Sequence, residues 1–116
     1  MKIVNLEQFL ATAVGTLFSK YERCAFDDFC IKGETISAVD FYYQPIADAI
    51  KCNNSDEFFN ILFRAEEVGE SIEMVFNMES RDGCFEPKQL FAVLEPQDVV
   101  ALIERLKQAL LQSAKP

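Results

Sequence analysis

Apolar and polar positions follow two different periods along this chain, and the changes of period mark its elements. Near the start Leu6, Phe9 and Leu10 fall at helical spacing and Gly15 punctuates the chain after them, which predicts a short helix over residues 5–12 lidding one end of a sheet. From Thr16 to Ile46 the chain is dense in aromatic and β-branched residues, interrupted by Asp27 and Asp28, by Lys32 to Glu34 and by Ser37 and Ala38. That texture predicts three strands, near 16–22, 29–36 and 40–44.

The period then lengthens. Asn53, Asn54 and Ser55 offer N-caps, Asp56 and Glu57 suit the first turn of a helix dipole, and Gly69 is a natural stop. Phe58, Ile61, Leu62, Ala65 and Val68 make one apolar stripe along the resulting helix over 55–70, expected to face the core. Next, Ile72, Met74, Phe76 and Met78 alternate with Glu73, Val75 and Asn77, the pattern of a half-buried strand over 72–78, and Arg81-Asp82-Gly83 turns the chain. Leu90 to Leu94 is continuously apolar and reads as an inner strand buried on both faces. Pro96 and Asp98 open a last helix with the stripe Val99, Leu102, Ile103, Leu106 and Leu110, and with Lys107 and Lys115 towards its end. The elements add up to one α+β domain over 1–116. Its expected form is a mainly antiparallel sheet of about five strands with two main helices packed on one face and a short N-terminal helix.

Composition supports a packed core. Half of the 116 residues are apolar, eleven of them Phe, and the net charge of −8 does not outweigh that. The charge is uneven: residues 1–53 carry five basic and seven acidic groups, 54–86 two and nine, and 87–116 four and three, or −2, −7 and +1. A negative surface repels nucleic acid and anionic membranes, so direct binding to either is disfavoured. No apolar run approaches the roughly 18 residues that span a bilayer, and the opening residues do not read as a signal peptide, so a cytoplasmic protein is expected. Cys24, Cys30, Cys52 and Cys84 are irregularly spaced in a chain with enough core to need no staples, which points to reduced, largely buried thiols.

Candidate chemistry is sparse. The chain has no histidine, which removes Ser-His and Cys-His pairs, histidine metal ligands and imidazole acid–base catalysis. The cysteine gaps of five, twenty-one and thirty-one residues do not resemble a zinc site, and the four isolated glycines form no phosphate loop. Residues 79–86 carry a calcium-loop flavour without its ligand spacing, so a turn is the better reading. The acid pairs Asp27-Asp28 and Glu66-Glu67 would serve acid–base chemistry only if one member were buried, and adjacent acids in an acidic protein are usually solvated. No enzyme, metal or cofactor is therefore expected.

One segment stands apart. On a helical wheel with Phe58 at zero, the core stripe of the 55–70 helix centres near 340°, while Phe59 falls at about 100° and Phe63 at about 140°. Glu66, Glu67 and Glu70 fall on that same side, at about 80°, 180° and 120°. The expectation is a protein-binding surface with Phe59 and Phe63 as anchors and Glu66, Glu67 and Glu70 steering a basic or nucleic-acid-binding partner. The alternatives are that the rings are covered within the fold or by a second copy in a homodimer. Acids at 56, 57, 66, 67, 70, 73, 79, 82 and 86 also supply material for an imitation of the phosphate field of a duplex, against the plainer reading of a solvated acidic face.

The stretches Asn5 to Leu10 and Gly15 to Glu22, with Ile31-Lys32-Gly33-Glu34 and, further on, Leu90 to Pro96, resemble small acidic proteins of unassigned function encoded in bacteriophage and prophage genomes. That resemblance implies a non-enzymatic protein that binds and blocks a host complex, or a self-associating structural or accessory component. It assigns no site residue.

Overall fold

The computed structural model describes residues 1–83 and 86–114. They form β1 (Lys2–Val4), α1 (Leu6–Leu10), β2 (Leu17–Glu22), β3 (Ala25–Thr35), β4 (Phe41–Pro45), α2 (Ser55–Val68), β5 (Ser80–Arg81), β6 (Leu90–Val93) and α3 (Pro96–Ser113). The fold is α+β: one antiparallel sheet in the order β1-β6-β2-β3-β4-β5, with three helices, two of them long.

The core lies on one face of this sheet. Phe18, Phe41 and Phe91 point to that side, and α1 lowers Phe9 among them, with its ring stacked 4.0 Å from that of Phe91. Val4, Leu6, Leu10, Cys30, Tyr43 and Val93 pack around the four rings. The helix that delivers Phe9 is only five residues long, and it is held by a reciprocal cap. The Gln8 N–H donates to Asn5 Oδ1 at 2.8 Å, and the Asn5 N–H donates to Gln8 Oε1 at 3.0 Å. α1 thus lies across the sheet face over β6 instead of lidding one end.

Strands β2, β3, β4 and β6 fall where the hydrophobic pattern placed them, but β3 begins earlier than expected, at Ala25. The Asp27-Asp28 pair does not break it, because both side chains are solvated on an exposed hairpin arm, where a strand tolerates charge. The hairpin closes on Arg23 and Cys24; Cys24 takes φ 63°, and its N–H donates to the Tyr21 hydroxyl at 2.8 Å. β6 is an inner strand with Phe91 and Ala92 buried on opposite faces, although Leu90 is exposed.

Three expectations need correction. First, residues 72–78 do not form a strand; a single bridge joins Met74 to Ile50, and Met74, Phe76 and Met78 are exposed. The free edge of β4 is taken by β5, which leaves the alternating segment no ladder to join, and Arg81 belongs to that short strand rather than to a turn. Second, neither long helix is packed on the sheet in the way expected: α2 and α3 have no buried residue, and only α1 among the helices sits closely on the strands. Third, the thiols are not largely buried: Cys24 is exposed, and Cys30 and Cys52 are half-buried, all three free. Cys84 and Lys115 lie outside the described residues, as does part of the 79–86 turn. The strand β1 was not foreseen, since three residues carry too little pattern to be read.

Asp40 ties the β4 end of the sheet together. It has no exposed surface, and its carboxylate accepts from the Arg81 guanidinium, from the Phe41 N–H at 2.9 Å and from the Gly83 N–H at 3.1 Å. Burial pushes this carboxyl up, but the Arg81, Gly83 and Phe41 hydrogen bonds outweigh it and hold the group below its ordinary range.

Candidate protein-binding surface

The helix that carries the candidate anchors starts and stops as its sequence requires. The Glu57 N–H donates to Asn54 Oδ1 at 2.8 Å, satisfying one orphan donor of the first turn. At the other end Gly69 takes the left-handed conformation at φ 71°, and its N–H closes on the Ala65 carbonyl at 3.0 Å. Between the caps, Phe58, Ile61, Leu62 and Ala65 are half-buried, and Val68 is exposed. Phe58 shares a hollow of about 190 Å³ with Tyr43 and Pro45 of β4, with Ser80 of β5 and with Ala49, Ile50 and Val75 of the loops, so α2 sits beside the β4 edge of the sheet rather than across its face.

That placement leaves Phe59 and Phe63 on the outside, 52% and 56% exposed. Their rings stack at 6.5 Å with 27° between planes, and Phe58 meets Phe59 edge-on at 5.5 Å. Glu66 and Glu67 are exposed nearby on the same helix. Glu70 does not join them: it lies beyond Gly69, where the wheel no longer applies, and it pairs with Arg64 at 2.8 Å. Arg64 projects from the helix at about 240° on the wheel, away from the aromatic pair. Four of the five residues singled out from the sequence thus belong to one helical surface, and the fifth is drawn off by a cation.

The exposed apolar surface is wider than the sequence suggested. Met74, Phe76 and Met78 are exposed in the segment after α2, while Val75 points inward and donates its N–H to the Ala49 carbonyl at 2.7 Å. The period-two pattern marked those three residues as buried, so no local signal would have found them. Of the nine acids between 56 and 86, seven are exposed: those at 56, 66, 67, 70, 73, 79 and 86. Asp82 is withdrawn into a partly buried pair with Lys20 at 2.8 Å, and Glu57 accepts from the Asn53 side chain at 3.3 Å.

Two other places hold polar chemistry. On the core side of the sheet, Lys20, Asp28, Cys30, Tyr43, Asp48 and Asp82 surround a hollow of about 140 Å³. Burial, then the charges of Asp28, Asp48 and Asp27, push the Cys30 thiol up to about 11, which keeps it protonated and unreactive at neutral pH. Lys32, missed in the sequence as one of three polar interruptions, is buried in β3. Its ammonium donates to the Gly33 carbonyl at 3.2 Å and to Thr35 Oγ1 at 3.0 Å, and lies 5.9 Å from the centre of the Phe9 ring. Burial lowers its pKa, while Glu34 opposes this. The Asp27-Asp28 and Glu66-Glu67 pairs are all exposed. Among the described residues no three acid or thiol side chains converge as metal ligands do, and no helix is long and apolar enough to cross a membrane.

A comparison with family models, with curated proteins and with solved structures finds no match for this chain.

Proposed function

We propose that this chain is a non-catalytic protein–protein interaction module that binds a basic partner in the cytosol through α2 and the segment after it. The observation that carries this reading is the stacked pair Phe59 and Phe63, each more than half exposed on a helix that also exposes Asp56, Glu66 and Glu67. Large aromatics left in water cost about 25 cal/mol per Å² of apolar surface, and a partner that covers them recovers that energy. The seven exposed carboxylates supply a field that attracts cationic surfaces, including those evolved to hold phosphate. A nucleic-acid-handling host complex blocked by this acidic surface, in the manner of a phage inhibitor, is the partner class that fits the charge.

Catalysis is given no part, on the chemistry present. The fully buried acid, Asp40, is held ionised by its donors, not raised towards neutrality as a general acid requires, and the Cys30 thiol in the acid-lined hollow is held protonated. The test is capture from bacterial lysate with tagged wild type and the Phe59→Ser/Phe63→Ser variant, washed at low and high salt. A partner retained by wild type alone, and released by salt, is the expected result. Equal retention by both proteins, or none by either, removes the reading.

A further inference from the structure

Beyond that partner surface, the molecule has a second and separate imbalance. A compact monomer of 13.2 kDa has about 6,400 Å² of accessible surface, and this chain has 8434 Å². Its radius of gyration is 16.2 Å, against about 13.4 Å for a compact domain of this length.

Two apolar surfaces other than α2 account for much of this. Along α3, Leu106 is 57% exposed and Leu110 69%, with Ile103 also exposed, while Val99 and Leu102 in the first turns and the small Ala109 are half-buried. The second surface is the sheet face opposite α1. Strand register places Ile3, Ala92, Ser19 and Phe29 in one row across that face, and Leu90, Tyr21 and Phe26 in the next. Ala92 and Ser19 at the middle of this face are buried, but Ile3, Phe26, Phe29 and Leu90 around them are exposed, and a hollow of about 200 Å³ opens there between Met1, Phe26, Asp27, Phe29 and Leu94.

We propose that α3 and this open sheet face are the two halves of an interface with a second copy of the chain, each copy laying its α3 across the sheet of the other. A helix stripe and a sheet face are the complementary layers of an α+β core, and among the described residues only the first turns of α3 are sheltered within one chain, which leaves the stripe from Ile103 to Leu110 uncovered. The dimensions match: the exposed stripe from Ile103 to Leu110 extends for about 12 Å, and the four strands that carry the exposed rows span about 14 Å. The excess surface, about 2,000 Å² per chain, lies in the range that lasting homodimers bury. Charge favours the same pairing. α3 balances Asp98 and Glu104 with Arg105 and Lys107, and residues 87–116 carry +1 in a chain of −8, so two copies meet where their mutual repulsion is least.

Mass measured by light scattering between about 1 and 100 μM, across the usual range of homodimer affinities, tests this. The expected mass is twice that of the chain. Leu106→Glu/Leu110→Glu in α3, and separately Phe29→Glu on the sheet, should each raise the dimer dissociation constant at least about a hundredfold with helix content unchanged. Hydrogen exchange on the wild type serves as a check free of substitutions, with α3 and the 26–29 arm gaining protection in concentrated samples. A wild-type monomer throughout overturns the proposal, as does a dimer that survives either variant. Phe59→Ser/Phe63→Ser should leave the mass unchanged, so loss of partner capture and loss of the dimer are read separately.

Discussion

The shortest helix and the longest one make opposite use of their apolar residues. α1 has five residues and puts Phe9 at 0% exposure against three other packed rings; α3 has eighteen and buries none. Both present apolar positions at helical spacing, and both have acids in the first turn. What separates them is the surface opposite. α1 is folded back between β1 and β2 onto a face already lined by Phe18, Phe41 and Phe91, whereas α3 leaves β6 with only its first turns against the sheet. Amphipathicity creates a demand for cover, and only a second surface can meet it.

The sharpest break in that contrast comes from truncating one residue in each helix. Phe9→Ala should cost about 3–5 kcal/mol in urea unfolding, because it opens a cavity among rings that cannot collapse onto it. Leu106→Ala, measured at dilutions where the chain is monomeric, should cost no more than about 0.5 kcal/mol. If the two are equal, α3 is packed in solution and the contrast fails.

A smaller loss is expected at Asp40. Its folded pKa lies below the ordinary value of 3.8, so its contribution is present above that value and is lost as pH falls through the folded pKa. Asp40→Asn should therefore lower the urea midpoint at pH 7 and approach wild type as the pH drops below 4. A gap that stays constant with pH would show that the Arg81 and backbone donors do not favour the ionised form.

Helix α2 stands between the two extremes, since it is capped at both ends but only half-covered. Asn54→Ala should cost about 1 kcal/mol, read by thermal or urea unfolding, because it frees the Glu57 N–H at the first turn. Phe59→Ser/Phe63→Ser should change stability by less than that, no more than about 0.5 kcal/mol. Unfolding of that variant would place the two rings in the structural core and end their role as partner anchors.

Legibility in the sequence tracked the range of the interactions. Asn54 and Gly69 bounded α2 correctly because capping is decided within four residues of chain. The pair Phe59 and Phe63 was placed together for the same reason, as i and i+4 on one helix. Glu70 was misjudged because the left-handed Gly69 swings the chain off the helix and towards Arg64. The segment 72–78 had the right alternation and the wrong outcome: a strand needs a neighbour's free edge, and β5 had already taken it. Lys32 was read as a polar interruption, although its long stem lets the ammonium reach the Gly33 carbonyl and Thr35 from inside the sheet.

By itself, then, the amino-acid order determined the local periods, the caps, the concentration of acid between residues 54 and 86 and the absence of imidazole chemistry, all properties that need no distant contact. The tertiary structure decided which apolar faces are covered. Burial depends on what lies across the gap, and the partner of Phe9 is a set of residues up to 82 positions away, at Phe91. Among the described residues Phe59 and Phe63 on α2, Leu106 and Leu110 on α3 and Phe26 and Phe29 on the outer sheet face stay exposed, because helical or strand spacing alone supplies no surface opposite them.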